Sequence, residues 1–340
     1  MKLSIFSQNL GGKNLPSDEN DAFTNIGENI KPDIYVEFTQ EDNRIIDNAS
    51  LIPGRFLDGY SPLCVQSLST KQPFNIITKV YTKGDNYVKI DSGSIKLNKF
   101  SGSVTSMVER SLRRLITNPT KGSTWVLIKN ADIADYNILL VNMHLPIDTG
   151  KYSLFKNESL GNEHRKESMI SILRKIYQKI YKRVDIKTLK VFIGGDLNFR
   201  VIHKTNQLTN FLKSEIFPFF ELSRNLGSTC KYLTTCSVDR TDNIECLDPS
   251  RSPSRCDRFL TNIPLSNLNI LSESNIVFNP GLDHNGIAIS IELSLLFRSG
   301  RQGSKISIEN MSNLNIGGRR TRKNRKIISY RKTRATPDHQ

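Results

Sequence analysis

The sequence predicts an α/β fold in which β-sheets are covered by helices, followed by a basic tail. Three observations carry this prediction. Short apolar runs of strand length recur along the chain, and segments with helical periodicity are interleaved with them. Several of the strands finish in polar residues, as they do where sheets and helices pack in layers around a functional edge.

The elements follow in order. "MKLSIFSQNL" alternates apolar and polar residues and reads as a strand, and "KPDIYVEFTQE" (31–41), set off by Pro32, reads as a second. Residues 103–116 place Val104, Met107, Val108, Leu112 and Leu115 at helical spacing. Residues 123–145 read as a hairpin of two strands around a polar turn. The clearest helix spans 163–182, with Met169, Ile170, Leu173, Ile176, Tyr177 and Ile180 on one face and Lys and Arg on the other. "LKVFIGGDLNF" (189–199) is a short, continuously apolar strand of the kind buried on both faces. A Phe-rich helix is expected near 206–222, and 274–293 reads as strand, turn and strand.

Composition narrows the class. The chain has 340 residues with 37% hydrophobic and 24% charged content, enough for a sizeable core. No run of about 18 apolar residues exists, so no membrane span is expected. The N-terminus is too short and too polar for a secretory signal. Five cysteines without C-x-x-C spacing argue against a disulfide framework or a zinc site and point to a reducing, cytoplasmic setting. The net charge of +15 is concentrated at the end, where residues 298–340 hold 12 Lys and Arg against Glu309 and Asp338. A domain boundary is therefore placed near 297, separating a body (1–297) from a linker and basic tail (298–340).

The polar strand ends suggest chemistry. Asn9 ends the first strand, Glu41 the second, His144 the run "LLVNMHL", and Asp196 with Asn198 the run "VFIGGDLNF". Asp257 lies in "RSPSRCDRFL" (251–260), and Asp283 with His284 in the turn "GLDHNG". Each alone is an ordinary polar end. Together, Glu, Asp and Asn oxygens are the ligand set of Mg²⁺, and two His, an Asp and an Asn suit metal-assisted attack on phosphorus.

In this order the motifs "PDIYVEFTQE", "TKG" (120–122), "VNMHL" (141–145), "GDLNFR" (195–200), "TCK" (229–231), "RSPSRCDRFL" and "LDHNG" resemble those of the endonuclease/exonuclease/phosphatase superfamily. Within it they resemble the inositol polyphosphate 5-phosphatases, over about residues 1–293. "GDLNFR" together with "CDRFL" is the most specific part. The resemblance implies a DNase I-like four-layer α/β/β/α sandwich and a Mg²⁺-dependent phosphatase acting on the 5-phosphate of inositol polyphosphates or phosphoinositides.

It also implies roles. Glu41 binds Mg²⁺, with Asn9 and Asp283 helping directly or through water. Asp196 orients or deprotonates the attacking water. Asn198 and His144 hold non-bridging oxygens, and His284, oriented by Asp257, binds the scissile phosphate. Lys121 and Lys231 match lysines that line the headgroup pocket, Arg200 lies beside the catalytic loop, and Arg258 braces the site or contacts phosphate. Departures fall at pocket-shaping positions: Arg255 replaces a Trp, Cys230 an aromatic residue, and Phe199 a Tyr. Arg255 adds charge near the mouth, which favours a more phosphorylated headgroup.

Rival readings are a metal-dependent endonuclease or phosphodiesterase of the same superfamily, and a noncatalytic phosphoinositide-binding module. No obligate protein partner is legible. The segment "RRTRKNRKIISYRKTR" (319–334) has nine positive charges and no acid. It suits an anionic membrane surface, nucleic acid or nuclear targeting, or it is simply a solubilising tail.

Overall fold

The computed structural model describes residues 1–12, 29–43, 58–69, 75–97, 121–146, 158–199, 212, 219–222, 256–276 and 284–293. By its contacts the chain divides into Met1–Arg301 and Gln302–Gln340, and every described residue lies in the first unit.

Twelve strands and one long helix form the described body. They are β1 (Lys2–Asn9), β2 (Ile34–Asp42), β3 (Tyr60–Leu68), β4 (Asn75–Lys83), β5 (Tyr87–Lys96), β6 (Gly122–Asn130), β7 (Asn137–His144), α1 (Glu158–Ile180), β8 (Lys190–Asp196), β9 (Phe220–Glu221), β10 (Asp257–Thr261), β11 (Leu268–Ile276) and β12 (Gly286–Leu293). The strands make two six-stranded sheets, ordered β11-β12-β1-β2-β4-β3 and β5-β6-β7-β8-β10-β9. Both are mixed. β1 runs parallel to β2 and β7 parallel to β8, while the other pairings are antiparallel. This is the predicted two-sheet sandwich.

The period of two along a strand decides what lies between the sheets. Leu3 and Ile5 of β1, Val36 and Phe38 of β2, Leu140 of β7 and Phe192 of β8 join one core with Phe259 of β10 and Ile287, Ile289 and Ile291 of β12. Moving along these inner rows, the side chains change from apolar to polar. In β1, Leu3 and Ile5 give way to Ser7 and Asn9; in β7, Ile138 and Leu140 give way to Asn142 and His144. One end of the sandwich is therefore a dry core and the other a buried polar layer.

Glycine makes the layers meet. Gly194 of β8 sits where a Cβ would lie 2.7 Å from Phe38 and 2.8 Å from Phe259, so both rings close over the strand. Side-chain bonds join the sheets beyond the core. Thr78 and Thr124 hydroxyls are 2.8 Å apart. Asn142 Nδ2 donates to the carbonyls of Thr39 (3.1 Å) and Ile77 (2.8 Å), and its Oδ1 accepts from Gln40 Nε2 at 2.7 Å.

Helix α1 carries the periodicity read from the sequence: Met169, Ile170, Leu173, Ile176, Tyr177 and Ile180 are all buried. It lies against β5 and β6, with Lys179 Nζ 5.9 Å from the Trp125 ring centroid. No helix among the described residues is long and apolar enough to cross a membrane.

Strands β3, β4 and β5 were not legible, because their polar and apolar residues are mixed. β3 also contains Pro62, which a sheet tolerates only at an edge, and β3 is an edge strand with an irregularity at Pro62/Cys64. The Phe-rich helix expected to reach 222 is corrected at its end. Phe220 and Glu221 are a short strand paired with Thr261 and Leu260 of β10, so a tertiary partner overrides the local pattern. The helix expected at 103–116 lies outside the described residues.

Candidate active site

The site is built by strand register. His144 and Asp196 end the parallel strands β7 and β8 directly opposite each other, and Asp257 opens β10 directly opposite Asp196. All three lie on the same row, on the inner side of the second sheet. The first sheet supplies Asn9 from the end of β1 and Glu41 from the end of β2.

Glu41 is presented by a local irregularity. The β2–β4 register shifts between Thr39 and Asp42, and Glu41 takes φ +50°, a left-handed conformation that costs a non-glycine residue energy. Its carbonyl is held by Gly12 N at 2.8 Å. The bulge turns its carboxylate toward Lys121 Nζ (3.7 Å) and His144 Nε2 (3.6 Å). Lys121 Nζ also contacts His144 Nε2 directly.

Asp196 is the hub. Its Oδ2 accepts from Asn9 Nδ2 at 3.0 Å and lies 3.3 Å from His144 Nε2, while its Oδ1 accepts from the Asn198 amide at 3.2 Å. Burial alone pushes the Asp196 carboxyl up. The hydrogen bond from His144 and the charges of His284, His144 and Lys121 outweigh it, so the group is held far below the usual carboxylate range. His144 is pushed the other way: burial and the Lys121 ammonium lower its pKa against the pull of Asp196 and Glu41. Its Nδ1 is buried with no hydrogen-bond partner among the described residues.

The second histidine completes the constellation. His284 Nδ1 is 2.8 Å from Asp257 Oδ2, and Asp257 is fully buried. Gln8 Nε2 donates to the carbonyls of Asn9 (2.7 Å) and His284 (2.8 Å), tying the end of β1 to the segment before β12.

The alternation of β10 explains why "CDRFL" carries adjacent opposite charges. Asp257 and Phe259 face between the sheets, whereas Arg258 points to the other side. There it is fully buried, donating to Glu221 Oε1 (2.8 Å) and to the Phe199 carbonyl (3.1 Å). The guanidinium thus lies behind the catalytic row, where it is placed to brace the site. Lys121, expected to line a headgroup pocket, is buried with its Nζ beside His144 and Glu41. Asn198 takes φ +55° and its Nδ2 donates to the Leu145 carbonyl at 3.0 Å. Asp283, Lys231, Arg200 and Arg255 lie outside the described residues.

Sequence reading passed over Gln8, Gln40, Asn142 and Glu221. For Asn142 the signal was present: it shares parity with His144 in "VNMHL", so it had to enter the space between the sheets.

The donors present fit a hard cation in kind. Among the described residues Glu41 is the carboxylate of the cluster that reaches solvent, at 19% exposure, and Asn9 adds an amide oxygen. No group of three or more His, Cys, Asp or Glu spaced for a metal exists among the described residues. Mg²⁺ commonly needs only one or two carboxylates, keeping waters and substrate oxygens for the rest.

No protein-family model matches the sequence, and no curated protein matches it either. Solved structures do resemble the chain. An endonuclease/exonuclease/phosphatase from Bacteroides vulgatus is 15% identical with a TM-score of 0.48, over 86% of this chain and all of that one. D. rerio TDP2 complexed with single-strand DNA product is 18% identical with a TM-score of 0.45, over 86% of this chain and 99% of that one. The Cimex nitrophorin ferrous NO complex is 14% identical with a TM-score of 0.49, over 86% and 98%. These resemblances include proteins of different chemistry, so the functional reading rests on the side chains of the site.

Proposed function

We propose that the protein is a metal-dependent hydrolase of phosphate esters, acting on the 5-phosphate of an inositol polyphosphate or phosphoinositide. The observation that carries the hydrolase reading is the row His144–Asp196–Asp257, with His284 bonded to Asp257 and Asn9 bonded to Asp196. The inositol reading is supported by the resemblance of "GDLNFR" and "CDRFL" to the 5-phosphatases.

Glu41 and Asn9 would hold the cation, with Asp283 as the further oxygen ligand. When bound, Mg²⁺ neutralises charge on phosphoryl oxygens. Asp196, held ionised in its buried setting, orients the attacking water by accepting a hydrogen bond from it. His284 donates a hydrogen bond to the scissile phosphate, and Asp257 fixes its ring by accepting at Nδ1. Lys121 contributes fixed positive charge beside His144, in a dry site where such charge acts strongly.

The basic segment 319–334 gives this enzyme an anionic partner surface, a phosphoinositide-bearing membrane in this reading. It is equally compatible with a nuclease or phosphodiesterase using the same row. The test is phosphate release from a panel of inositol phosphates and short-chain phosphoinositides with Mg²⁺, beside a DNA-nicking assay, with wild type and His284→Ala. Release confined to 5-phosphorylated substrates and lost in the variant is expected. Nicking without phosphate release would overturn the phosphatase reading in favour of the nuclease.

A further inference from the structure

Asp196, Asn198 and His144 must hold their geometry within fractions of an ångström to act on one phosphate. The two chain segments that follow β7 and β8 have left the ladder, so strand pairing no longer fixes them. Each has a carbonyl gripped by a buried arginine. Arg258 donates to the Phe199 carbonyl, one residue beyond Asn198, while its other arm is fixed by Glu221. Arg165 of α1 donates through Nε to the Pro146 carbonyl, two residues beyond His144, at 3.1 Å, while its NH1 donates to Asn162 Oδ1 at 2.8 Å.

The two segments are also bonded to each other. Asn198 Nδ2 donates to the Leu145 carbonyl, and Leu145 N donates to the Asp196 carbonyl at 3.0 Å. From the β10 side, the Cys256 carbonyl accepts from Leu197 N (2.9 Å) and Asn198 N (3.2 Å).

Buried ion pairs add little to stability, because desolvation offsets their attraction and an apolar replacement of similar size is commonly as stable. Stability alone therefore does not call for Arg258 and Glu221. Both side chains lie behind the row, away from the space between the sheets. What the pair does is set the position of one carbonyl. A planar, forked donor suits that task, since one arm can be anchored while the other aims.

We infer that Arg258 and Arg165 are positioning residues, a pair of buried clamps that hold the segments carrying Asn198 and His144 in register with Asp196. The inference rests on the hydrolase reading for its consequence in rate, but not for its structural content.

The test uses full-length Arg258→Lys, Arg165→Lys and Glu221→Gln. Lysine keeps the charge and loses the fork. Each variant is followed by phosphate-release kinetics and by residue-resolved amide hydrogen exchange. In the arginine variants kcat is expected to fall roughly tenfold to a hundredfold. KM is expected to change far less than kcat, since misplacement of Asn198 and His144 weighs most in the transition state. Exchange accelerates at Leu197 and Asn198 in Arg258→Lys, and at Leu145 in Arg165→Lys, while amides inside β1 and β7 keep the wild-type rate. Glu221→Gln, which keeps an acceptor, shows a smaller effect of the same kind as Arg258→Lys.

A rise in KM at constant kcat would make the arginines substrate binders and overturn the inference. Uniform acceleration at all amides would reduce them to structural residues and also overturn it. If wild type hydrolyses no ester, the hydrolase reading fails, and the exchange pattern alone decides: faster exchange at the named amides upholds the clamps, and unchanged exchange removes them.

Discussion

Asp257 Oδ2 and His284 Nδ1 meet at 2.8 Å, one from a strand of the second sheet and the other from the segment leading into β12 of the first. The bond fixes the histidine by a group that faces away from solvent. Replacing Asp257 by Asn keeps the shape but presents an amide of indefinite orientation to the ring. Activity is expected to fall roughly a hundredfold or more, the lower range of what a positioned acid or base contributes. Steady-state kinetics on a variant shown to fold by near-UV circular dichroism check this.

Lys121 governs the neighbouring histidine. Burial is the first cause of the lowered His144 pKa, and the Lys121 ammonium is the second. In Lys121→Met the pKa of His144 is expected to rise, because a lowering cause is removed while Asp196 and Glu41 still favour the charged ring. An NMR titration of the ring protons reads the shift directly. An unmoved or lowered value would show that Lys121 does not set it.

Stability should fall with acid in two stages. The unfolded chain binds a proton at His144 where the folded chain does not, so stability declines as pH drops below the unfolded value of 6.5 and levels off below the folded one. Asp196 repeats the pattern lower down: its folded pKa is below 3.8, and the stability it contributes above that value is lost as pH falls toward the folded one. Urea midpoints measured between about pH 7 and pH 5 should decrease. His144→Asn should flatten that first decline.

Two adjacent glycines of β8 should respond to alanine for different reasons. Gly194→Ala puts a methyl against the Phe38 and Phe259 rings, an overpacking worth about 1–3 kcal/mol. Gly195→Ala meets the Met143 carbonyl from a backbone at φ +123°, and neither partner can rotate away. It should be the more destabilising of the two, and denaturant unfolding of both variants decides the order.

Glu41 is expected to dominate the affinity for the cation. Glu41→Gln should weaken Mg²⁺ binding by at least roughly tenfold, since even residues that merely support a ligand matter at that level. Titration calorimetry on the free protein measures it without reference to turnover.

Some of this was legible beforehand. Asn9, Glu41, His144 and Asp196 were each visible as polar residues closing an apolar strand, because a strand's period of two makes its ends predictable. That His144, Asp196 and Asp257 share a row was not, since register between distant strands is set by pairing that no local pattern encodes. The same holds for Arg258. Its charge was conspicuous, but its partner Glu221 lies 37 residues earlier, within a stretch that read as helix. Asn142 stood in plain view, yet its three bonds depend on how closely the two sheets approach.

That last residue sets a mechanical condition. Asn142 bonds to Gln40, beside Glu41, while its own strand ends at His144 two residues later. Glu41 and Asn9, which would grip the metal, thus belong to the first sheet and His144 and Asp196 to the second, and Asn142 is one of the side chains that stitch the two together. A slide of one sheet over the other by a single ångström would break the reaction's alignment while leaving every strand intact. Turnover is therefore a gauge of interlayer shear, and under mild urea or pressure it should fade before any loss of secondary structure.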